Sequence, residues 1–234
     1  MDFIELLGLN RMDRYSEFAD DLCYLCDDML EYNKMVNLTA IRDRDGVWLR
    51  HIIDSLTLVP YLDENASIID VGCGGGFPSL PIAIVRRDVN VTSLDSTQKK
   101  LRFIENHAKS VGLDNITTLC ARAEEVGRDV KKRESYDIAV ARGVCEMRML
   151  CELCLPLVRV GGKFIAMKNG ECVDELSAAK NAIKVLGGEI TENAEVTLRD
   201  GNDEIKHSVI MIQKVSQTAD VYPRDWAKIS KKPL

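Results

Sequence analysis

The sequence predicts an α/β protein, a doubly wound Rossmann-like sheet of seven strands preceded by a helical extension. Three observations carry that reading. A buried-strand pattern at Ile68–Val71 includes Asp70 near its end and is followed by glycines at every second position, Gly72, Gly74 and Gly76, and then by an apolar, helix-length segment. From about Ser67 onward, strand-like and helix-like patterns alternate. The last strand pattern, Lys206–Lys214, comes straight after a turn (Asp200, Gly201, Asn202), as the second arm of a β-hairpin does.

Taken in order, residues 1–60 form the helical extension. Phe18, Leu22, Leu25, Met29 and Leu30 recur at helical spacing, and Val47, Leu49, Ile52, Ile53 and Leu56 do so again. Residues 61–215 form the sheet core. Strands are expected at Ser67–Val71, Val89–Leu94, Ile116–Ala121, Tyr136–Ala141, Lys163–Lys168, Glu189–Thr197 and Lys206–Lys214. Helices are expected at Pro78–Val85, Thr97–Val111, Ala123–Val126, Glu146–Leu157 and Val173–Leu186. Residues 216–234 form a basic C-terminal arm. Its stretch Val221–Leu234, with Tyr222, Pro223, Trp226 and Pro233, lacks periodicity and reads as extended.

A chain of 234 residues suffices for one α/β domain with a sizeable core plus an extension. No apolar run reaches transmembrane length, and MDFIELLGLN carries acids where a signal peptide carries Lys or Arg, so a cytoplasmic protein is expected. Among the eight cysteines, Cys23/Cys26 and Cys151/Cys154 form C-x-x-C pairs in helix-like segments. The pairs are far apart in sequence and have no nearby His, so buried thiols are expected rather than a metal site. The net charge of −6 is unevenly spread: residues 1–31 hold nine acids and two arginines, a local −7, which leaves +1 for the rest. Basic clusters stand at Lys99, Lys100, Arg102 and Lys109, at Arg128, Lys131, Lys132 and Arg133, and at Arg224, Lys228, Lys231 and Lys232. Such patches bind phosphates even on an acidic protein, although each alone also fits a solvated face.

The glycine spacing narrows the ligand. A dinucleotide fingerprint, G-x-G-x-x-G, would need Gly where Phe77 stands. The loop instead reads G-x-G-x-G, which resembles motif I of S-adenosylmethionine (SAM)-dependent methyltransferases. Asp95, 23 residues beyond Gly72 and at the end of the next strand, suits the ribose hydroxyls of NAD and SAM alike. Five β/α units closed by an antiparallel hairpin match the class I methyltransferase plan, whereas a dinucleotide fold more often continues to a sixth parallel strand. After the third strand, Ala123 and Glu124 open a helix. There they either meet an adenine or simply complement the helix dipole.

The fourth strand ends Ala141-Arg142-Gly143, without the Asn/Asp-Pro-Pro-aromatic tetrad of exocyclic-amine methyltransferases. Cys145 lacks the neighbouring proline expected of a carbon-5 nucleophile and reads as a structural thiol. A ring nitrogen such as guanine N7 fits better, because it has no proton to lose and needs only alignment. Arg142 would then hold guanine O6 or the SAM carboxylate.

Seven motifs together resemble the ribosomal RNA small subunit methyltransferase G family, also called glucose-inhibited division protein B. They are YNKMVNLTAI (Tyr32–Ile41), RHIIDSL (Arg50–Leu56), DVGCGGGFPSLPIAI (Asp70–Ile84), LDSTQKKLRFI (Leu94–Ile104), RAE (Arg122–Glu124), ARG (Ala141–Gly143) and YPR…KKPL (Tyr222–Leu234). The resemblance implies N7 methylation of one guanine, position 527 in the 530 loop of 16S rRNA, on the small ribosomal subunit. It also implies a monomer and low-level streptomycin resistance on loss. By motif match, Gly72, Gly74, Phe77, Ala123, Glu124 and Arg142 would contact SAM, with Asp95 on its ribose. His51, Asp54 and Ser55 would line the substrate entrance or else tie their helix to the sheet, while Arg224 and Lys228 would meet rRNA. Asn37 and Thr39 would cap the turn into that helix. One departure is Gly75, in a slot often filled by Ala, which should loosen the loop. The rival readings are a SAM-dependent methyltransferase of another substrate, a non-catalytic SAM-binding regulator and an NAD-linked oxidoreductase, the last opposed by Phe77.

Overall fold

In the computed structural model, residues 2–170, 172–201 and 204–234 are described. The extension comprises α1 (Phe3–Leu9), a 3-10 turn at Asp13–Phe18, α2 (Ala19–Asn33), α3 (Arg44–Val47), a π-helical turn at Trp48–Ile53 and α4 (Asp54–Leu56). On α2 the buried side chains are Leu22, Leu25, Cys26 and Met29, three or four residues apart, so one stripe faces inward. Asp28, also on α2, meets the buried His107 ring at 2.6 Å, which ties the extension to the core helix α6 (Gln98–Ser110). α5 (Ser79–Val85) lies between them in sequence.

Seven strands form one sheet: β1 (Ser67–Val71), β2 (Asn90–Asp95), β3 (Ile116–Cys120), β4 (Tyr136–Arg142), β5 (Val158–Asn169), β6 (Gly188–Arg199) and β7 (Glu204–Lys214). Their order is β3-β2-β1-β4-β5-β7-β6, parallel except for the pairings of β7, which runs against both β5 and β6. Ile68, Ile69, Ile138, Ala139 and Val140 are fully buried, as continuous apolar strands covered on both faces must be. One core cluster joins the extension, α5 and α6 to one face; the other joins α8 (Met147–Cys154) and α9 (Val173–Val185) to the opposite face. The short α7 (Ala123–Val126) follows β3. The strand order switches between the parallel neighbours β1 and β4, with β2 and β3 added on one side and β5 on the other, which places a crevice at their carboxyl ends.

Three details differ from expectation. β5 begins at Val158 rather than Lys163, because Gly161 and Gly162 form a register shift within the strand, not a turn before it. A Cβ at Gly162 would stand 2.4 Å from the Asp137 carbonyl, so only glycine permits that approach. The helix expected at Glu146–Leu157 stops at Cys154 and tightens into a 3-10 turn around Pro156. The tail, expected to be extended, folds back as α10 (Trp226–Lys231), with Ile229 fully buried. Of the hairpin turn named from sequence, Asn202 lies outside the described residues. Among the described residues no helix is long and apolar enough to cross a membrane.

Candidate functional site

A cavity of about 650 Å³ opens at the carboxyl edge of the sheet. It is walled by the glycine loop, by the extension, by the ends of β4 and β5, and by the β6–β7 hairpin. The loop is held open from below. Asp70, fully buried at the end of β1, accepts from the Ser79 backbone N–H at 3.2 Å and from the Ser79 hydroxyl. Burial pushes the Asp70 carboxyl up to about 6. Gly76 has φ +87°, and a Cβ there would lie 2.7 Å from Leu80 Cδ1. Gly74 also has positive φ (+55°), but a Cβ there would meet nothing nearer than the Gly72 carbonyl at 4.0 Å, so the space on that side of the loop is open. Gly75 admits the extension: a Cβ there would sit 3.2 Å from Leu38 Cβ. Its absent side chain thus serves close packing.

Arg142, at the end of β4, organises the cavity. Its Nη1 donates to Asp54 Oδ2 at 2.7 Å and to the Arg50 carbonyl at 3.0 Å, and its Nη2 donates to His51 Nδ1 at 3.0 Å. The His51 ring stacks on Phe77 with centroids 4.8 Å apart, and its Nε2 lies 2.8 Å from Thr39 Oγ1. Burial, reinforced by the Arg142 charge, pushes His51 down to about 4. His51 is therefore neutral, and because Nδ1 accepts from Arg142, Nε2 carries the proton and donates to Thr39. Burial alone would raise the Asp54 carboxyl, but His207 and Arg142 hold it below its ordinary value. His207 Nδ1 stands 3.0 Å from Asp54 Oδ1, at ion-pair distance but not aligned for a hydrogen bond.

The cavity brings together Gly72, Gly74, Phe77, Arg142, His51 and Asp54. Asp95, Ala123 and Glu124 lie outside its lining. Asp95 supports the loop instead, accepting from Gly74 N at 3.1 Å and Thr97 N at 2.8 Å. Each carboxylate oxygen has a second lone pair, so ribose hydroxyls remain compatible with it. Glu124 is nearly buried at the start of α7. Ser55 does not face the cavity: it is fully buried and its hydroxyl donates back to the His51 carbonyl. In the turn expected to be capped by Asn37 and Thr39, Thr39 Oγ1 accepts from Ile41 N at 3.2 Å and Asn37 Oδ1 from Arg42 Nη2 at 3.0 Å, and Asn33 adds its Oδ1, which accepts from Leu38 N (2.8 Å) and Thr39 N (3.1 Å).

Arg224 is not presented as a free cation. Its backbone N–H and Nε each reach Glu152 Oε1 at 2.8 Å, its Nη2 reaches Oε2 at 2.6 Å, and Glu152 is fully buried on α8. Arg128 bonds the Pro223 carbonyl and Asp225, while Arg133 bonds the carbonyls of Thr218, Ala219 and Tyr222. The arginines of two basic clusters thus fasten the tail. Lys228, on α10, does not line the cavity. Cys26, Cys151 and Cys154 are buried, and burial pushes Cys145 up to about 11, which removes it as a thiolate.

Sequence reasoning missed His207 and Lys168, both lining the cavity. Lys168 Nζ meets Glu175 Oε1 at 2.6 Å and the Cys145 carbonyl at 3.0 Å. His207 was findable: β7 is antiparallel, so its first residues, not its last, reach the carboxyl edge.

Residues 20–202 match the family model described as rRNA small subunit methyltransferase G. The protein of that name from Clostridium beijerinckii is 43% identical over 225 residues, covering 95% of this chain and 91% of its own. The one from Clostridium kluyveri is 38% identical and covers 100% of both chains. Among solved structures, M. jannaschii TYW2 in complex with AdoMet is similar at TM-score 0.56 and 14% identity, over 70% of this chain and 76% of that one. Precorrin-6y C5,15-methyltransferase from Geobacter metallireducens matches at TM-score 0.52 and 18% identity, over 69% and 87%. These two likenesses concern the fold.

Proposed function

The chain belongs to the rRNA small subunit methyltransferase G family, and from that premise we propose that it methylates N7 of one guanine in the 530 loop of 16S rRNA, position 527. SAM supplies a methyl group on a positively charged sulfur, which keeps the bonding electron pair when the methyl leaves. The residues present suit that cofactor: a glycine loop with open space at Gly74, an acid at Asp95 with lone pairs to spare, and a cavity beside both. Gly72, Gly74 and Phe77 would cradle its amino-acid end, Asp95 its ribose, and Ala123 and Glu124 its adenine.

The observation that carries the choice of N7 is the protonation chemistry around Arg142. His51 is pushed down to about 4, Asp54 is held below its ordinary value and paired, and Cys145 is pushed up to about 11. None of the three takes a proton or offers a thiolate at neutral pH. An acceptor that arrives with a lone pair already free, as guanine N7 does, fits these three groups best, and the work left to them is alignment. Arg142 has five N–H donors, three of them used, so Nε–H and one Nη2–H remain for the base or the SAM carboxylate. Such an enzyme works in the cytoplasm, where the subunits are.

The test is incubation of the full chain with tritiated SAM and small ribosomal subunits from a strain lacking this activity, followed by borohydride–aniline cleavage. One new cleavage at the 530 loop is expected. SAM binding with no labelled rRNA would overturn the reading.

A further inference from the structure

His207 is 4% exposed and lines the cavity, and neither of its buried ring nitrogens has a hydrogen-bond partner: Nδ1 faces Asp54 without alignment, and Nε2 faces no partner at all. A buried, unpartnered ring nitrogen in a cavity wall costs stability unless something fills it. The fold brings this residue there from far along the chain. In register His207 pairs with Asn169, the cavity-lining end of β5, and with Val196 of β6. This is the side of the crevice beyond β4, away from the glycine loop and Asp95 on β1 and β2. With the nucleoside end of SAM over β1 and β2, the space under β5 and β7 is left to the methyl acceptor.

The protonation pattern follows from Asp54. That carboxylate is held in its charged form; it accepts from Arg142 on Oδ2, and His207 Nδ1 stands 3.0 Å from Oδ1. A carboxylate 3.0 Å from Nδ1 favours the tautomer with its N–H on that side, which leaves the opposite nitrogen, Nε2, as the acceptor of the neutral ring. One carboxylate thus anchors a donor group with unused N–H bonds (Arg142) beside an acceptor (His207). Guanine presents the complement on adjacent atoms, an acceptor at O6 and a donor at N1–H. Adenine presents the reverse, a donor at N6 and an acceptor at N1.

We propose that His207 is a specificity-determining residue: its Nε2 accepts from the N1–H edge of the target guanine while Arg142 donates to O6, leaving N7 free. This rests on the reading of the site as a guanine-N7 methyltransferase.

The experiment compares wild type, His207→Phe and His207→Gln on unmethylated small subunits, with SAM affinity and melting temperature measured alongside. Loss of the acceptor strands a donor of the base, so kcat/KM for subunits should fall about 10- to 100-fold in His207→Phe. The fall should lie mainly in KM, with SAM affinity unchanged. Gln places a carbonyl oxygen where Nε2 stood and should restore most of it. Unchanged kcat/KM in His207→Phe would overturn the proposal, as would a parallel loss of SAM affinity. A collapse of kcat that Gln does not rescue would overturn it too, making His207 a general base for another acceptor. Inert wild-type enzyme would instead sink the N7 reading itself.

Discussion

Asp54→Asn is the substitution that interrogates the site most directly. The carboxylate is 13% exposed and stands between Arg142, 2.7 Å from Oδ2, and His207, 3.0 Å from Oδ1. Arg142 donates to it, and His207 Nδ1 faces it at ion-pair distance. An amide of the same shape has one acceptor and one donor, so it satisfies one partner and sets an N–H against the other. Breaking a buried ion pair from one side costs about 3–5 kcal/mol. The lower figure applies here, because Arg142 keeps the Arg50 carbonyl and His51. For a chain of this size about 3 kcal/mol lowers the melting temperature by roughly 6–12 °C. The sign of the pH dependence is fixed as well. Asp54 has a folded value below its unfolded 3.8, so its contribution is fully present above about that pH and is lost as pH falls through the folded value. Urea denaturation should therefore give a constant gap between wild type and Asp54→Asn from pH 7 to pH 5, closing below pH 4. Arg142→Gln in the same background should cost less than the two single changes summed. A gap under about 1 kcal/mol at pH 7, or one that widens on acidification, would refute the assignment of Asp54 as the shared charged anchor.

Three other outcomes follow from the same geometry. Glu152→Gln should strip charge from the buried partner of Arg224, cost about 3 kcal/mol and speed tryptic cleavage at Arg224 and Lys228; an unchanged digestion pattern would argue that the tail is held elsewhere. Gly74→Ala, at φ +55° in open space, should cost about 1–2 kcal/mol yet weaken SAM binding at least tenfold, whereas Gly76→Ala, at φ +87° against Leu80 and Ile104, should lose more stability; equal melting temperatures would contradict that contrast. Asp70, raised to about 6, contributes stability that is full below its unfolded 3.8 and lost as pH rises through 6, so Asp70→Asn should gain on wild type by about 1–3 kcal/mol between pH 4 and pH 7, and a denaturant series showing no such gain would place the carboxyl in a wetter setting.

Much of the sheet was legible because parallel strands buried on both faces must be apolar runs, and Ile68–Val71 and Tyr136–Ala141 are such runs. The hairpin was legible because β6 and β7 flank a polar turn. What escaped was what depends on partners distant in sequence. Nothing local distinguishes Glu152 from a surface helix acid; only the returning tail makes it a buried counter-ion for Arg224. The cluster Arg128–Arg133 looks like a phosphate site for the same reason: its occupants are main-chain carbonyls of the tail, which carry no side-chain signature. His207 was hidden by a rule that looks for ligands at strand ends, which an antiparallel strand inverts. Conversely, the segment Arg50–Leu56 was singled out with two roles left open, tying the helix or lining the entrance. His51 and Asp54 line the cavity, and the bonds that tie them to Arg142 are made inside it.

That double role changes what the extension is. Arg50, His51 and Asp54 all precede the first strand, yet among the described residues they supply the acceptors that Arg142 meets at the end of β4. The glycine loop packs against the same segment, because Leu38 approaches Gly75 so closely that a Cβ there would stand 3.2 Å from Leu38 Cβ. Asp54 in turn links three stretches of chain, α4, the end of β4 and the start of β7, through one carboxylate. The charge of Arg142 is thus largely committed before any ligand arrives, so its orientation is bought by the extension rather than by the substrate. A site so preorganised need not draw on ligand affinity to order its side chains, which suits the alignment-driven methyl transfer proposed for it.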